Sequence, residues 1–175
     1  MMKKTPAFRF AAMLCYALLV FGISSCSKSD DPKPDNSGYH FTATIGGKKV
    51  VMHNAKFQGG GNDGRWEHVV VSGSETTSVT SPSLDFEIWR LGGDITPGTY
   101  VTPAETGMIS RYAVQLSGGT LVYNSQHDVF TVKIDGISKD GIKGTMTGTL
   151  RSDGGESISI ADGEFNLPYD VLVNP

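Results

Sequence analysis

The fold is decided by residues 84–89, which read Leu84-Asp85-Phe86-Glu87-Ile88-Trp89. Successive residues of a β-strand point to opposite faces of a sheet, so apolar side chains at every second position predict one buried face. That face carries Leu84, Phe86 and Ile88. The opposite, polar face carries Asp85, Glu87 and Trp89. The stretch therefore predicts an antiparallel strand with one side in the core and the other toward solvent.

The same period of two continues along the chain from Gly38 onward, and no stripe of helical spacing interrupts it. Phe41, Ala43 and Ile45 alternate with polar residues, and so do Phe130, Val132 and Ile134. The sequence holds 22 glycines, many of them in pairs that are typical of tight turns. This pattern predicts an all-β fold, an antiparallel β-sandwich of about nine or ten short strands. The alternative is a lipocalin-like β-barrel.

Two local features refine this expectation. Gly144 and Gly148 lie on the apolar face of the predicted strand 142–151, which indicates close approach of another backbone or bulges. In the last predicted strand, Ile158 and Ile160 are out of phase with Phe165 and Leu167. One extra residue must be accommodated, so a bulge or tight bend is expected at residues 161–163.

The N-terminal segment predicts export and lipid attachment. Lys3, Lys4 and Arg9 precede an apolar run that ends in Ile23-Ser24-Ser25-Cys26. A basic start, a short apolar run and small residues are typical of a secretory signal peptide. The last four residues resemble the bacterial lipobox, in which the cysteine thiol carries the lipid. The alternative is an ordinary signal peptide with an incidental cysteine.

These features divide the chain into a signal peptide at 1–25, the lipidated Cys26 with a flexible tether to residue 37, and one all-β domain at 38–175. The stretch Ser27–Asp31 resembles the short acidic signal of surface-exposed lipoproteins of Bacteroidota; the alternative is a solvated linker. Cleavage removes three basic residues and no acid from a chain of net charge −3. The acidic balance of the mature chain argues against nucleic acid as a partner.

The domain contains three motifs rich in turn residues: Pro97-Gly98-Thr99-Tyr100, the pair Gly144-Thr145 and Gly148-Thr149, and Asp162-Gly163-Glu164-Phe165-Asn166-Leu167-Pro168. Together they resemble motifs of small, single-domain outer-membrane lipoproteins of Bacteroidota that carry a domain of unknown function. The resemblance covers most of residues 38–168 and departs at Leu150, where an aromatic side chain is expected. It implies an all-β, membrane-tethered domain and transfers no activity.

Trp89 is the strongest candidate for ligand binding. A large aromatic ring beside the carboxylates of Asp85 and Glu87 can stack on a sugar while the acids accept hydrogen bonds from its hydroxyls. The alternative is a sheet packed on both faces, or a tryptophan covered by a loop. The two acids lie about 7 Å apart on one strand, near the spacing of inverting glycosidases. Catalytic pairs flank the scissile bond from opposite sides, however, so no catalytic residue is predicted.

The sequence predicts neither a metal site nor a cofactor, because its four histidines show no ligand spacing and the mature chain keeps a single cysteine. The expected function is a non-enzymatic surface module that binds a glycan or a protein, anchored in the outer membrane through Cys26. The alternatives are a structural or accessory subunit of an outer-membrane assembly, held by strand addition, and a glycoside hydrolase. Exposure at the cell surface is expected, with the periplasmic face of the membrane as the alternative.

Overall fold

The computed structural model describes residues 38–61 and 63–175, so the predicted signal peptide, Cys26 and the predicted tether lie outside the described residues. The described residues form one compact unit. Eleven strands build it: β1 (His40–Ile45), β2 (Lys48–Val51), β3 (His53–Gly60), β4 (His68–Ser74), β5 (Ser83–Trp89), β6 (Gly98–Thr102), β7 (Met108–Leu116), β8 (Gly119–Asn124), β9 (Phe130–Ile137), β10 (Gly141–Ser152) and β11 (Ser157–Pro168).

All strand pairs are antiparallel, and the order along the sheet is β2-β1-β11-β10-β8-β7-β5-β4-β3. The long strand β10 divides the sheet, because residues 142–148 pair with β9 and residues 151–152 pair with β8. The strand β6 pairs with β9 beside this division. The all-β, sandwich-like fold that the sequence predicts is thereby confirmed.

The strand count differs from the sequence-based expectation of nine or ten. Residues 48–60 form two strands, β2 and β3, where the sequence predicts one strand over residues 48–53 and a loop over residues 58–64. Val50 and Met52 are buried, and then Ala55 and Phe57 are buried with the opposite phase. Asn54 adopts a positive φ of 48°, and the register between β3 and β4 shifts there. A bulge restores the inward direction of the side chains after the break.

The core lies between the inner faces of the two halves of the sheet. Phe86 on β5 and Phe165 on β11 are fully or almost fully buried, and their ring centroids lie 5.2 Å apart. The largest buried side chains come from both halves. Most occupy the apolar faces that the alternation predicts, namely Phe41, Phe86, Phe130, Phe165, Leu84, Ile88, Ile134, Ile142 and Met146. Phe57, Met52 and Ile95 are buried at positions outside that prediction.

The bulge expected near residue 161 is confirmed. On β11, Glu164 pairs with Thr42 of β1, but Ala161 pairs with Thr44, so three steps on β11 oppose two on β1. Asp162 has a positive φ of 48° at this point. The extra residue lets Ile160 and Phe165 both point into the core, although five positions separate them.

Within the described residues, no helix is long and apolar enough to cross a membrane.

Candidate functional site

The candidate site is a patch on the outer face of β4, β5 and β7, which we call the Trp89 platform. It consists of His68, Asp85, Glu87, Trp89 and Arg111. All five side chains are neither fully buried nor fully exposed. The alternation of β5 puts its two acids and its tryptophan on this face, because Leu84, Phe86 and Ile88 occupy the core. The structure thus brings the three sequence-predicted residues together on one surface.

The platform is assembled by the register of the neighbouring strands. His68 of β4 lies directly opposite Trp89, and Arg111 of β7 lies directly opposite Asp85. Directly opposed residues in antiparallel strands have side chains within contact distance on the same face. The pairs of Glu87 with Val70 on one side and Ile109 on the other add apolar, half-buried neighbours to the same surface.

The central element of the platform is Arg111, whose guanidinium binds both carboxylates. Its Nε lies 2.9 Å from Asp85 Oδ1, and its Nη2 contacts Glu87 Oε1. This bridge holds the two acids in fixed positions, since a planar guanidinium has a rigid set of donors. The acid side chains keep only 19% and 18% of their surface exposed, so a ligand reaches the outer edges of the carboxylates.

Burial raises the pKa of Asp85, because it removes solvent from the charged carboxylate, and the hydrogen bond and charge of Arg111 act in the opposite direction. Two carboxylates face one guanidinium, so the platform keeps an excess of negative charge. An anionic ligand would be repelled there, whereas an uncharged ligand with hydroxyl groups would meet several hydrogen-bond acceptors and the donors of Arg111.

Trp89 is paired with an aromatic neighbour. The imidazole of His68 is stacked parallel to the indole, with ring centroids 5.4 Å apart and planes 6° apart. Nε2 of the imidazole lies 3.7 Å from Glu87 Oε2. The stack fixes the orientation of the indole on the sheet surface. The imidazole covers part of one face of the indole, beside the hydrogen-bonding cluster.

The carboxylates of Asp85 and Glu87 lie on one strand and share one arginine, so they do not face each other across a groove. General acid–base hydrolysis of a glycoside requires two carboxyl groups on opposite sides of the scissile bond. The geometry of this pair therefore does not meet that requirement.

Sequence reasoning missed two members of the platform, His68 and Arg111. The alternation within each strand places both on an outer face, but it does not determine which residues of neighbouring strands lie opposite each other. The register supplies that information. An arginine on the outer face of β7, the second strand after the Asp-x-Glu strand, is the only signal that the sequence offered.

A second surface lies at the end of the domain where β3, the β9–β10 turn and the end of β11 meet, and we call it the Trp66 groove. Its volume is about 400 Å³, and it is lined by three glycines, two aromatic residues and two cationic residues: Gly60, Gly61, Gly64, Arg65, Trp66, Lys139 and Tyr169. The sequence Gly64-Arg65-Trp66 has a form found early in lipocalin-like barrels, although it follows a complete hairpin here.

The other candidates from the sequence give no site. Among residues 38–61 and 63–175, no three His, Cys, Asp or Glu side chains are grouped as metal ligands. Within this range His40 lies 3.4 Å from Glu164, and His68 belongs to the Trp89 platform.

Comparison with known proteins adds no relative: no family model, no curated protein and no solved structure matches this chain.

Proposed function

We propose that this chain is a lipid-anchored cell-envelope protein whose domain binds an uncharged glycan on the Trp89 platform. The observation that supports the binding role is the parallel stack of His68 on Trp89 beside two carboxylates bridged by Arg111. Aromatic rings provide large, rigid contact area, and fixed polar groups at their edge provide direction.

The charge of the platform supports an uncharged glycan rather than an acidic one. Asp85 and Glu87 outnumber the single cation Arg111, and all three are preorganised by their mutual contacts. Neutral sugars offer hydroxyl groups that donate to carboxylates and accept from guanidinium.

The binding role is tested on a glycan array with the mature chain from residue 26, carrying Cys26→Ser to keep it in solution. We expect binding to neutral glycans and a loss of at least about tenfold in affinity for Trp89→Ala, since a central aromatic contact typically contributes about 1.4 kcal/mol or more. Leu91→Ala is the matched control, because Leu91 is an exposed apolar residue just beyond β5. Its binding should equal that of the unmodified protein.

An array without any bound neutral glycan would contradict the proposal, and so would binding that Trp89→Ala leaves unchanged. Either result would favour a protein partner or a structural role in an envelope assembly. Circular dichroism of each variant separates lost binding from lost folding.

The anchoring role is tested separately by expressing the full chain in a bacterium with a labelled fatty acid. We expect the wild-type chain to incorporate label and to sediment with membranes, because two or more acyl chains give stable anchoring. Cys26→Ala should lose the label and leave the membrane fraction. Cys15→Ala, which removes a thiol within the apolar segment, should behave as wild type. Label retained by Cys26→Ala would disprove the assignment of Cys26.

A further inference from the structure

The Trp66 groove has a composition that differs from that of the Trp89 platform. Its lining includes Arg65 and Lys139 and no carboxylate, although the whole chain has a net charge of −3. Arg65 is paired with the Glu67 carboxylate at 3.7 Å, so the uncompensated positive charge of the groove comes from Lys139. Such a site attracts anionic ligands, which the Trp89 platform disfavours.

The two cations are arranged differently. Arg65 is held in place, because its Nη1 donates to the Gly92 carbonyl at 3.2 Å and its Nη2 lies 3.7 Å from Glu67. Lys139 is exposed on the β9–β10 turn and forms no ion pair in the part of the chain that the structure describes. A fixed guanidinium and a free ammonium on the same groove together suit a carboxylate, which accepts hydrogen bonds from both.

The aromatic side of the groove is rigid. Trp66, Phe57 and Tyr169 contact one another, with ring centroids of Phe57 and Tyr169 at 5.3 and 5.4 Å from Trp66 and 5.5 Å from each other. The phenol of Tyr169 donates to the Gly59 carbonyl at 2.9 Å, and the backbone N–H of Trp66 donates to Asp94 at 2.9 Å. These contacts fix the orientation of the indole. Trp66 is only half-buried, so part of the indole surface remains exposed at the groove.

The remaining lining is backbone. Gly60, Gly61 and Gly64 are exposed and add no side chain to the groove, and the Gly60 carbonyl already accepts a hydrogen bond from the Glu67 N–H at 3.0 Å. The aromatic rings favour a C–H face, and the cations favour a carboxylate. One ligand class combines these two features, namely a sugar ring that carries a carboxyl group.

We propose that the Trp66 groove binds the uronic acid residue of an acidic oligosaccharide, with Arg65 and Lys139 on its carboxylate and Trp66 or Tyr169 against its ring. The proposal does not depend on the Trp89 platform, because the two surfaces share no residue and have opposite charge. If both sites function, the domain binds a glycan that contains both neutral and acidic sugars.

The test uses tryptophan fluorescence of the mature chain from residue 26, with Cys26→Ser for solubility and Trp89→Phe so that Trp66 is the only indole left. The probe is trigalacturonate, and its fully methyl-esterified form is the matched ligand, with the same rings and no charge. We expect saturable change of Trp66 emission with trigalacturonate and at least about tenfold weaker binding of the ester, since hydrogen bonds to charged groups are the strong ones.

The variants test the two cations. Arg65→Gln with Lys139→Gln should weaken trigalacturonate binding by about tenfold or more, and Lys139→Gln alone should weaken it without any risk to folding. Lys49→Gln is the matched control, because Lys49 is an exposed cation on β2 far from this lining, and it should leave the affinity within about twofold. Emission that does not change up to about 10 mM trigalacturonate would overturn the proposal. Equal binding of acid and ester, or an equal loss in Lys49→Gln, would overturn it as well.

Discussion

Replacing Gly144 by alanine is expected to lower the free energy of unfolding by more than about 3 kcal/mol, a large part of the about 5–15 kcal/mol that stabilises an ordinary domain. Gly144 lies in the middle of β10, between Ile134 of β9 and Phe165 of β11. A Cβ there would overlap the Lys133 carbonyl oxygen and would lie 2.7 Å from Cζ of Phe165. The ring covers the glycine, so neither the strand nor the ring has room to move.

Urea unfolding followed by circular dichroism measures this effect. Gly118→Ala is the matched control, because a Cβ at Gly118 meets nothing within 4 Å in the β7–β8 turn, and its effect should stay within about 0.5 kcal/mol. If Gly144→Ala unfolds at the same urea concentration as wild type, the packing of Phe165 over β10 is not the one described.

Replacing Phe86 by alanine is expected to lower the free energy of unfolding by about 3–5 kcal/mol, the usual cost of truncating a buried phenylalanine. Phe86 is fully buried on β5, and its ring lies 5.2 Å from that of Phe165 on the facing half of the sheet. The loss combines removed apolar burial, the cavity that remains and the aromatic contact between the two halves.

Phe86→Leu keeps most of the volume and should cost clearly less, so the difference between the two variants isolates the cavity. Val79→Ala, at a fully exposed apolar residue, should change stability by no more than about 0.5 kcal/mol. A Phe86→Ala variant as stable as the Val79→Ala variant would show that β5 and β11 do not pack face to face.

The sequence predicts those parts of the fold that depend on neighbouring residues along one strand. The alternation of residues 84–89 places every side chain of β5 on its observed face. The change of phase between Ile160 and Phe165 requires a bulge, and it is found there. The glycine at 144 predicts a close approach, and the backbone of β9 and the ring of Phe165 provide it.

The parts that sequence reasoning missed depend on contacts between distant segments. The break between β2 and β3 accompanies a change of partner strand, since β2 pairs with β1 and β3 pairs with β4, and nothing in the local pattern specifies those partners. Arg111 joins the Trp89 platform through the register of β7 against β5, which a single sequence does not specify. Trp66 and Tyr169 meet at the groove although about a hundred residues separate them.

The binding of a neutral glycan to the Trp89 platform is tested most directly in a ¹H–¹⁵N spectrum of the soluble mature chain, which resolves the two indoles separately. The sequence has two tryptophans, so two indole N–H signals are expected, and Trp89→Phe assigns them. Cellohexaose, mannohexaose and xylohexaose serve as neutral ligands. We expect at least one of these oligosaccharides to shift the Trp89 indole N–H and Arg111 Nε–H signals and to leave the Trp66 indole N–H signal unchanged. Neutral oligosaccharides that shift only the Trp66 signal, or neither signal, would contradict this expectation.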